Sequence, residues 1–131
     1  MIMMALCAVF GIAAPFLLAW WLVKKYQVNI TTILVGAGVF FVFALVLESM
    51  VHQVVLQGPN GKIILDNIWY YALYGGLAAA LFEETGRFLA MKFVLKKEPG
   101  TALTAVGYGI GHGGIEMLLI VARGGIGVTV P

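Results

Sequence analysis

The chain opens on MIMMALCAVFGIAAPFLLAWWLV, residues 1–23, a run without a single charged side chain. A helix of about 20 apolar residues crosses the roughly 30 Å hydrocarbon core of a bilayer, so this run is long enough to span a membrane. Trp20 and Trp21 lie near its end, where an interfacial aromatic belt belongs, and Lys24 and Lys25 follow. This pattern predicts a first transmembrane helix.

The composition of the whole chain agrees with a membrane location. Of the 131 residues, 62% are hydrophobic and 11% are charged, whereas ordinary soluble domains are roughly 45–50% apolar. The eight basic residues give a net charge of only +2 and are scattered beside apolar runs, which argues against a nucleic-acid partner. We therefore expect an all-α, polytopic integral membrane protein with residues 1–131 in a single membrane domain.

Turn-forming sequences divide the chain into four apolar segments. The predicted transmembrane helices cover about residues 1–23, 30–56, 66–95 and 101–122. Four crossings would place one set of lysines on one side, namely Lys24, Lys25, Lys92, Lys96 and Lys97. By the positive-inside rule this side is the cytoplasm, so both termini are predicted to be non-cytoplasmic. Small residues at a spacing of four predict one tightly packed face on the last helix, at Gly107, Gly109, Gly111, Gly113 and Gly114.

Three ionisable residues, Glu83, Glu84 and Arg87, fall within one turn of the third predicted helix. A charged residue at the centre of a membrane helix costs about 2.5–3.5 kcal/mol, so these side chains should face protein or water. Glu83 and Arg87 are at positions i and i+4 and can pair, whereas Glu84 points about 100° away from Glu83.

His112 on the fourth predicted helix lies at a depth similar to that of Glu83. Counting helical rise from the turn at 96–100 gives roughly 20 Å to Glu83 and roughly 17 Å to His112. Helices joined by so short a turn are expected to be neighbours, so the two side chains should meet. Glu116 follows His112 at i+4 on the same face.

A glutamate and a histidine around a buried water are the groups that peptide hydrolysis needs, with Glu83 or Glu84 as general base. A structural role as internal ion pairs is the alternative. No metal cofactor is expected because H-E-x-x-H is absent, although zinc held by His112, Glu116 and Glu83 stays open. Glu48 and His52 form another i, i+4 pair, expected near the outer surface as a solvated pair or as an entry point for substrate or water.

The segments Glu-Glu-Thr-Gly-Arg-Phe (83–88) and Gly-Ile-Gly-His-Gly-Gly-Ile-Glu (109–116) resemble the YhfC family of glutamic-type intramembrane proteases. That family is similar in turn to the type II CAAX prenyl endopeptidases. The resemblance implies that Glu83 activates water with His112, that Glu84 and Arg87 support it, and that Tyr108 and His112 form an aromatic–histidine motif. Family members have further helices, so the chain resembles their N-terminal part.

The resemblance makes an intramembrane peptidase of a bacterial cytoplasmic membrane the first functional hypothesis, with a membrane-embedded or lipidated peptide as substrate. A non-catalytic scaffold is the second, with another copy of the chain or a different membrane subunit as its partner. A proton-coupled carrier is the third, because glutamate and histidine inside a helix bundle also form proton relays.

Overall fold

The computed structural model describes residues 2–128, with side chains through residue 124. The helices are α1 (Ile2–Tyr26), α2 (Ile30–Leu56), α3 (Gly61–Leu65), α4 (Ile68–Leu89, continued by a π-helical turn, Ala90–Val94) and α5 (Ala102–Val128). No strand occurs in this part of the chain, which confirms the all-α prediction. The predicted helical start at Met1 and the last three residues lie outside the described range.

Three described helices are long and apolar enough to cross a membrane, namely α1, α2 and α5 as far as Gly124. Most large apolar side chains on them are exposed, as expected for surfaces that face lipid. Helix α4 is long enough, but it carries the three charged residues at 83, 84 and 87 and is not in this group. A fourth crossing by α4 therefore stays a prediction.

Capping explains where two of the helices begin. The Asn29 side chain accepts a hydrogen bond from the Thr31 amide at the start of α2, and Asn67 accepts from the amides of Trp69 and Tyr70 at the start of α4. An Asn at this position satisfies amides that have no partner within the helix. Helix α4 consequently begins at Ile68, two residues later than predicted.

The long helices are packed in the spatial order α1, α5, α2, α4. Helix α5 lies between α1 and α2, and α4 packs on the other side of α2. Within the described residues, no Cα atom of α4 comes within 8 Å of a Cα atom of α5. The prediction that these two helices are packed neighbours is therefore wrong, because both of them pack on α2 instead of on each other.

Close approach of glycines holds α5 against α2. A Cβ atom at Gly111 would overlap the Ile33 carbonyl group, lying 2.7 Å from its carbon, and one at Gly36 would lie 3.0 Å from the His112 amide nitrogen. In lipid there is no hydrophobic driving force between helices, so such contacts are a main source of association. The predicted tight glycine face is thus confirmed at Gly111 against α2, at Gly107 against Val28 and Thr32, and at Gly114 against Pro15 of α1. It is wrong at Gly109 and Gly113, because a Cβ atom at either position would have no neighbouring atom within 4 Å.

One end of the bundle contains both the α1–α2 and the α4–α5 connections. The Asn29 Nδ2 atom donates to the Glu98 Oε1 atom over 2.9 Å and ties these connections together. Lys24, Lys25 and Lys96 accordingly lie near the same end, as the predicted topology requires. Which side of the membrane this end faces stays a prediction.

Candidate active site

His112 of α5 and Glu83 of α4 face each other across the gap between their helices. The Nε2 atom of His112 lies 3.6 Å from the Oε2 atom of Glu83. This separation is too long for a hydrogen bond but within the range of an ion pair. The His112 side chain is 15% exposed and that of Glu83 is 39% exposed. The structure thus brings together the two residues that helical depth predicted to meet.

Helix α2 is the common support that sets this distance. The Phe40 ring of α2 packs edge-on against the His112 imidazole, with ring centroids 4.9 Å apart. On the other side, Gly86 of α4 rests against α2 so closely that a Cβ atom there would lie 2.7 Å from Val39 and 2.9 Å from Phe43. The position of Glu83 relative to His112 therefore depends on two separate helix–helix contacts with α2.

The gap between α4 and α5 forms a cavity of about 730 Å³, lined by residues that include Glu83, Glu84, Arg87, Tyr108 and His112. Tyr108 is only 3% exposed. Within the described part of the chain, its hydroxyl and the Nδ1 atom of His112 are buried without a hydrogen-bond partner. Buried polar atoms are nearly always satisfied in folded proteins, so these two atoms call for a hydrogen-bond partner such as an internal water.

Arg87 pairs with Glu84 and not with Glu83, which corrects the sequence-based expectation. The guanidinium Nη2 atom donates to the Glu84 Oε2 atom, and both side chains are more than half exposed. Residues at i and i+3 also share a helix face, so this pairing is as accessible as the i, i+4 one. Glu83 is left without a cationic partner on its own helix and faces His112.

Glu116 has an exposed side chain and does not line the cavity. In the described residues, no three His, Cys, Asp or Glu side chains are grouped to hold a metal ion. The three-ligand zinc site at His112, Glu116 and Glu83 is therefore not assembled in this part of the chain. The physical reason is that the exposed Glu116 side chain lies outside the cavity that His112 and Glu83 share.

The Glu83–His112 pair alone fits a metal only in part. Two tetrahedral zinc ligands are separated by roughly 3.4 Å when each bond is about 2.0–2.2 Å, and 3.6 Å is close to that value. A zinc site needs at least three protein ligands, and a ligating histidine normally donates its other ring N–H to a partner. Among the described residues neither a third ligand nor a partner for Nδ1 of His112 is present, so they do not form a zinc site by themselves.

A second polar cluster joins α2 to α4. The Nε2 atom of His52 lies 3.1 Å from Glu48 Oε1, and its Nδ1 atom lies 2.9 Å from the hydroxyl of Tyr74. The i, i+4 spacing predicted the Glu48–His52 pairing. It did not predict Tyr74, because this residue lies 22 positions further along on another helix and no sequence pattern links it to His52.

The helices and the cavity define a polytopic membrane protein with a carboxylate and an imidazole facing each other inside the helix bundle. The model of the YhfC intramembrane metalloprotease family matches residues 10–128, and the chain belongs to that family. It is 36% identical over 130 residues to a Bacillus subtilis (strain 168) protein named "Uncharacterized membrane protein YhfC". The alignment covers 98% of this chain and 50% of that protein, so the chain spans about half the length of this curated relative. No solved structure matches the chain.

Proposed function

We propose that the chain carries catalytic groups of an intramembrane peptidase in which Glu83 and His112 activate water. The observation that supports this proposal most directly is the 3.6 Å separation of Glu83 Oε2 and His112 Nε2 at the wall of the 730 Å³ cavity. Since 3.6 Å is less than twice a normal hydrogen-bond length of about 2.8 Å, one water molecule can contact both atoms at once. Membership in a family described as intramembrane metalloproteases supports the same reaction class.

The proposed reaction follows general acid–base chemistry. Glu83 takes a proton from the water as the water oxygen bonds to the peptide carbonyl carbon and the carbonyl oxygen becomes an oxyanion. The C–N bond then breaks as the leaving nitrogen takes a proton from His112 Nε2, and the imidazole regains a proton from Glu83. Every proton is accounted for, and the products are a carboxylic acid and an amine.

The Nε2–H form of His112 suits this role. A proton on Nε2 faces the Glu83 carboxylate, whereas a proton on Nδ1 would be a buried donor without a partner among the described residues. An unsatisfied buried donor costs about 1–3 kcal/mol. Glu84 and Arg87 neutralise each other at the cavity wall, which leaves Glu83 as the carboxylate available to act as a base.

We propose a membrane-embedded or lipidated peptide as the substrate. The cavity lies between two helices whose described Cα atoms all stay more than 8 Å apart, and apolar side chains such as Phe88 and Met91 contribute to its wall. A peptide entering from the lipid would find an apolar approach and then the polar groups at 83 and 112. This arrangement is typical of sites in which a few polar groups act within a mostly apolar pocket.

The test is hydrolysis of a transmembrane peptide library in liposomes by the wild-type chain, Glu83→Gln and His112→Ala. We expect each substitution to lower the rate at least about 100-fold, because each removes a proton-transfer group. Glu116→Gln is the matched control, since this glutamate lies on the same helix as His112 but outside the cavity. Equal hydrolysis by the wild type and both site variants would refute the proposal.

A non-catalytic scaffold is the second candidate, and one observation favours it. A Cβ atom added at Gly109 or at Gly113 would have no neighbouring atom within 4 Å, and an apolar groove of about 390 Å³ lies beside these glycines between α1 and α5. Small residues at this spacing let another helix approach closely in lipid. Stoichiometric co-purification with a membrane subunit that Gly109→Leu disrupts, in the absence of hydrolysis, would favour the scaffold.

A further inference from the structure

The cluster formed by Tyr74, His52 and Glu48 lies outside the cavity, and its hydrogen bonds link α2 to α4. With an ionised carboxylate at Glu48 and a neutral imidazole at His52, the Nε2 atom of His52 donates to Glu48 Oε1 over 3.1 Å. The Nδ1 atom of a neutral imidazole then accepts, and Tyr74 donates its hydroxyl proton over 2.9 Å. Both ring nitrogens of His52 have hydrogen-bond partners, so neither is free to act as a base on a substrate.

The same cluster is partly buried. The Glu48 side chain is 12% exposed and that of His52 is 33% exposed. The rings of His52 and Tyr74 pack edge-on, with centroids 5.4 Å apart. Hydrogen bonds are directional and are stronger in a low-dielectric environment, so such a cluster fixes the relative orientation of the helices that carry it.

Helix α4 packs mainly on α2 and on the short α3. Among the described residues no Cα atom of α4 lies within 8 Å of a Cα atom of α5, and the close glycine contact of α4 with α2 is at Gly86. Tyr74 lies 12 residues before Gly86, about 18 Å along the helix, and Glu83 lies between them. Apolar packing near Gly86 holds one part of α4 on α2, and a directional contact about 18 Å away further restricts rotation of the helix about its axis.

The consequence for Glu83 follows from helix geometry. Side-chain ends lie about 5–6 Å from a helix axis, so a rotation of roughly 20° would move the Glu83 carboxylate by about 2 Å. The observed separation from His112 is 3.6 Å. A misplacement of about 1 Å is enough to lower a catalytic rate about 100-fold.

We infer that Tyr74, His52 and Glu48 are positioning residues that fix the rotation of α4 on α2 and thereby hold Glu83 opposite His112. As a statement about catalysis the inference rests on the proposed function. As a statement about geometry it does not, because helix orientation can be measured without any substrate.

The experiment compares Tyr74→Phe with the wild-type chain in liposomes. This substitution removes the hydroxyl and keeps the ring. Tyr71→Phe is the matched control, because Tyr71 is an exposed tyrosine one turn away on the same helix. Spin labels at Leu81→Cys on α4 and Val106→Cys on α5, both exposed positions, report the distance between the helices in a Cys7→Ser background.

We expect Tyr74→Phe to broaden the α4–α5 distance distribution and to lower kcat between about threefold and twentyfold with KM unchanged. Tyr71→Phe should alter neither. A Tyr74→Phe distribution as narrow as that of the wild type would overturn the inference. A broadened distribution in a chain whose wild type hydrolyses nothing would support the positioning role and refute the proposed function.

Discussion

The contact between Gly111 and Ile33 offers a direct test of how α5 is held. A Cβ atom at position 111 would overlap the Ile33 carbonyl oxygen and lie 2.7 Å from its carbon and 3.0 Å from the Ala37 nitrogen. Carbon atoms in van der Waals contact are about 3.5–4.0 Å apart, so Gly111→Ala must push α5 away from α2 by at least about 0.8 Å. The obstructing atoms belong to the backbone and cannot move aside by a change of rotamer.

Two effects follow from this displacement. Overpacking costs typically about 1–3 kcal/mol, and His112, the next residue, moves with the helix. We expect Gly111→Ala to lower stability by at least about 1 kcal/mol and to lower any hydrolysis about 100-fold, since an error of about 1 Å at reacting groups has that effect. Unfolding in SDS–detergent mixtures, followed by circular dichroism, measures the loss of stability.

Gly113→Ala on the same helix is the control. A Cβ atom there has no neighbour within 4 Å, and alanine is favoured over glycine in helices by about 0.8–1.0 kcal/mol in soluble hosts. The two substitutions should therefore change the free energy of unfolding in opposite directions or, at the least, by clearly different amounts. Equal stability of the Gly111→Ala and Gly113→Ala variants would refute the argument that backbone contact at Gly111 holds α5 to α2.

Three other expectations concern the cavity, the topology and metal binding. Tyr108→Phe should lower hydrolysis but keep or raise stability, because it removes a buried hydroxyl with no partner among the described residues. A clear loss of stability would contradict the expectation that this hydroxyl is unpaired. Cysteines replacing Lys62 and Lys97 should react with impermeant maleimide from opposite sides of the membrane; reaction from the same side would show that α4 does not cross. The purified chain should hold less than one equivalent of zinc by mass spectrometry, because no three His, Cys, Asp or Glu side chains among its described residues are grouped to hold a metal ion. One tightly bound equivalent lost in His112→Ala would contradict that expectation.

Much of the architecture is encoded locally and could be predicted. Uncharged runs of about 20 residues or more specify membrane helices, because a helix satisfies the hydrogen bonds of its own peptide groups and the hydrocarbon core cannot. The depth of Glu83 and His112 could be counted from the turn because helical rise is constant. The motifs around these residues also indicated the family, and the match over residues 10–128 confirms it.

Other features depend on contacts between distant residues and could not be predicted. The sequence suggested that α4 and α5 pack together, because short turns usually join neighbouring helices. In the structure they are separated by the cavity, because backbone contacts at Gly36 and Gly111 bring α5 to α2. The π-helical stretch Phe40–Glu48 in α2 changes the facing of the side chains after it, and α-helical spacing does not reveal such a change.

The sequence alone therefore determined which long segments are helices, that lipid surrounds them, and which ionisable residues lie at one depth, but not the short helix α3. Each of these follows from hydrophobicity and a fixed rise per residue. Tertiary structure alone decided which partner a group finds on another helix: Glu83 with His112, and His52 with Tyr74. The physical reason is that partner choice depends on how helices rotate and approach one another, and glycine contacts on α2 set that arrangement.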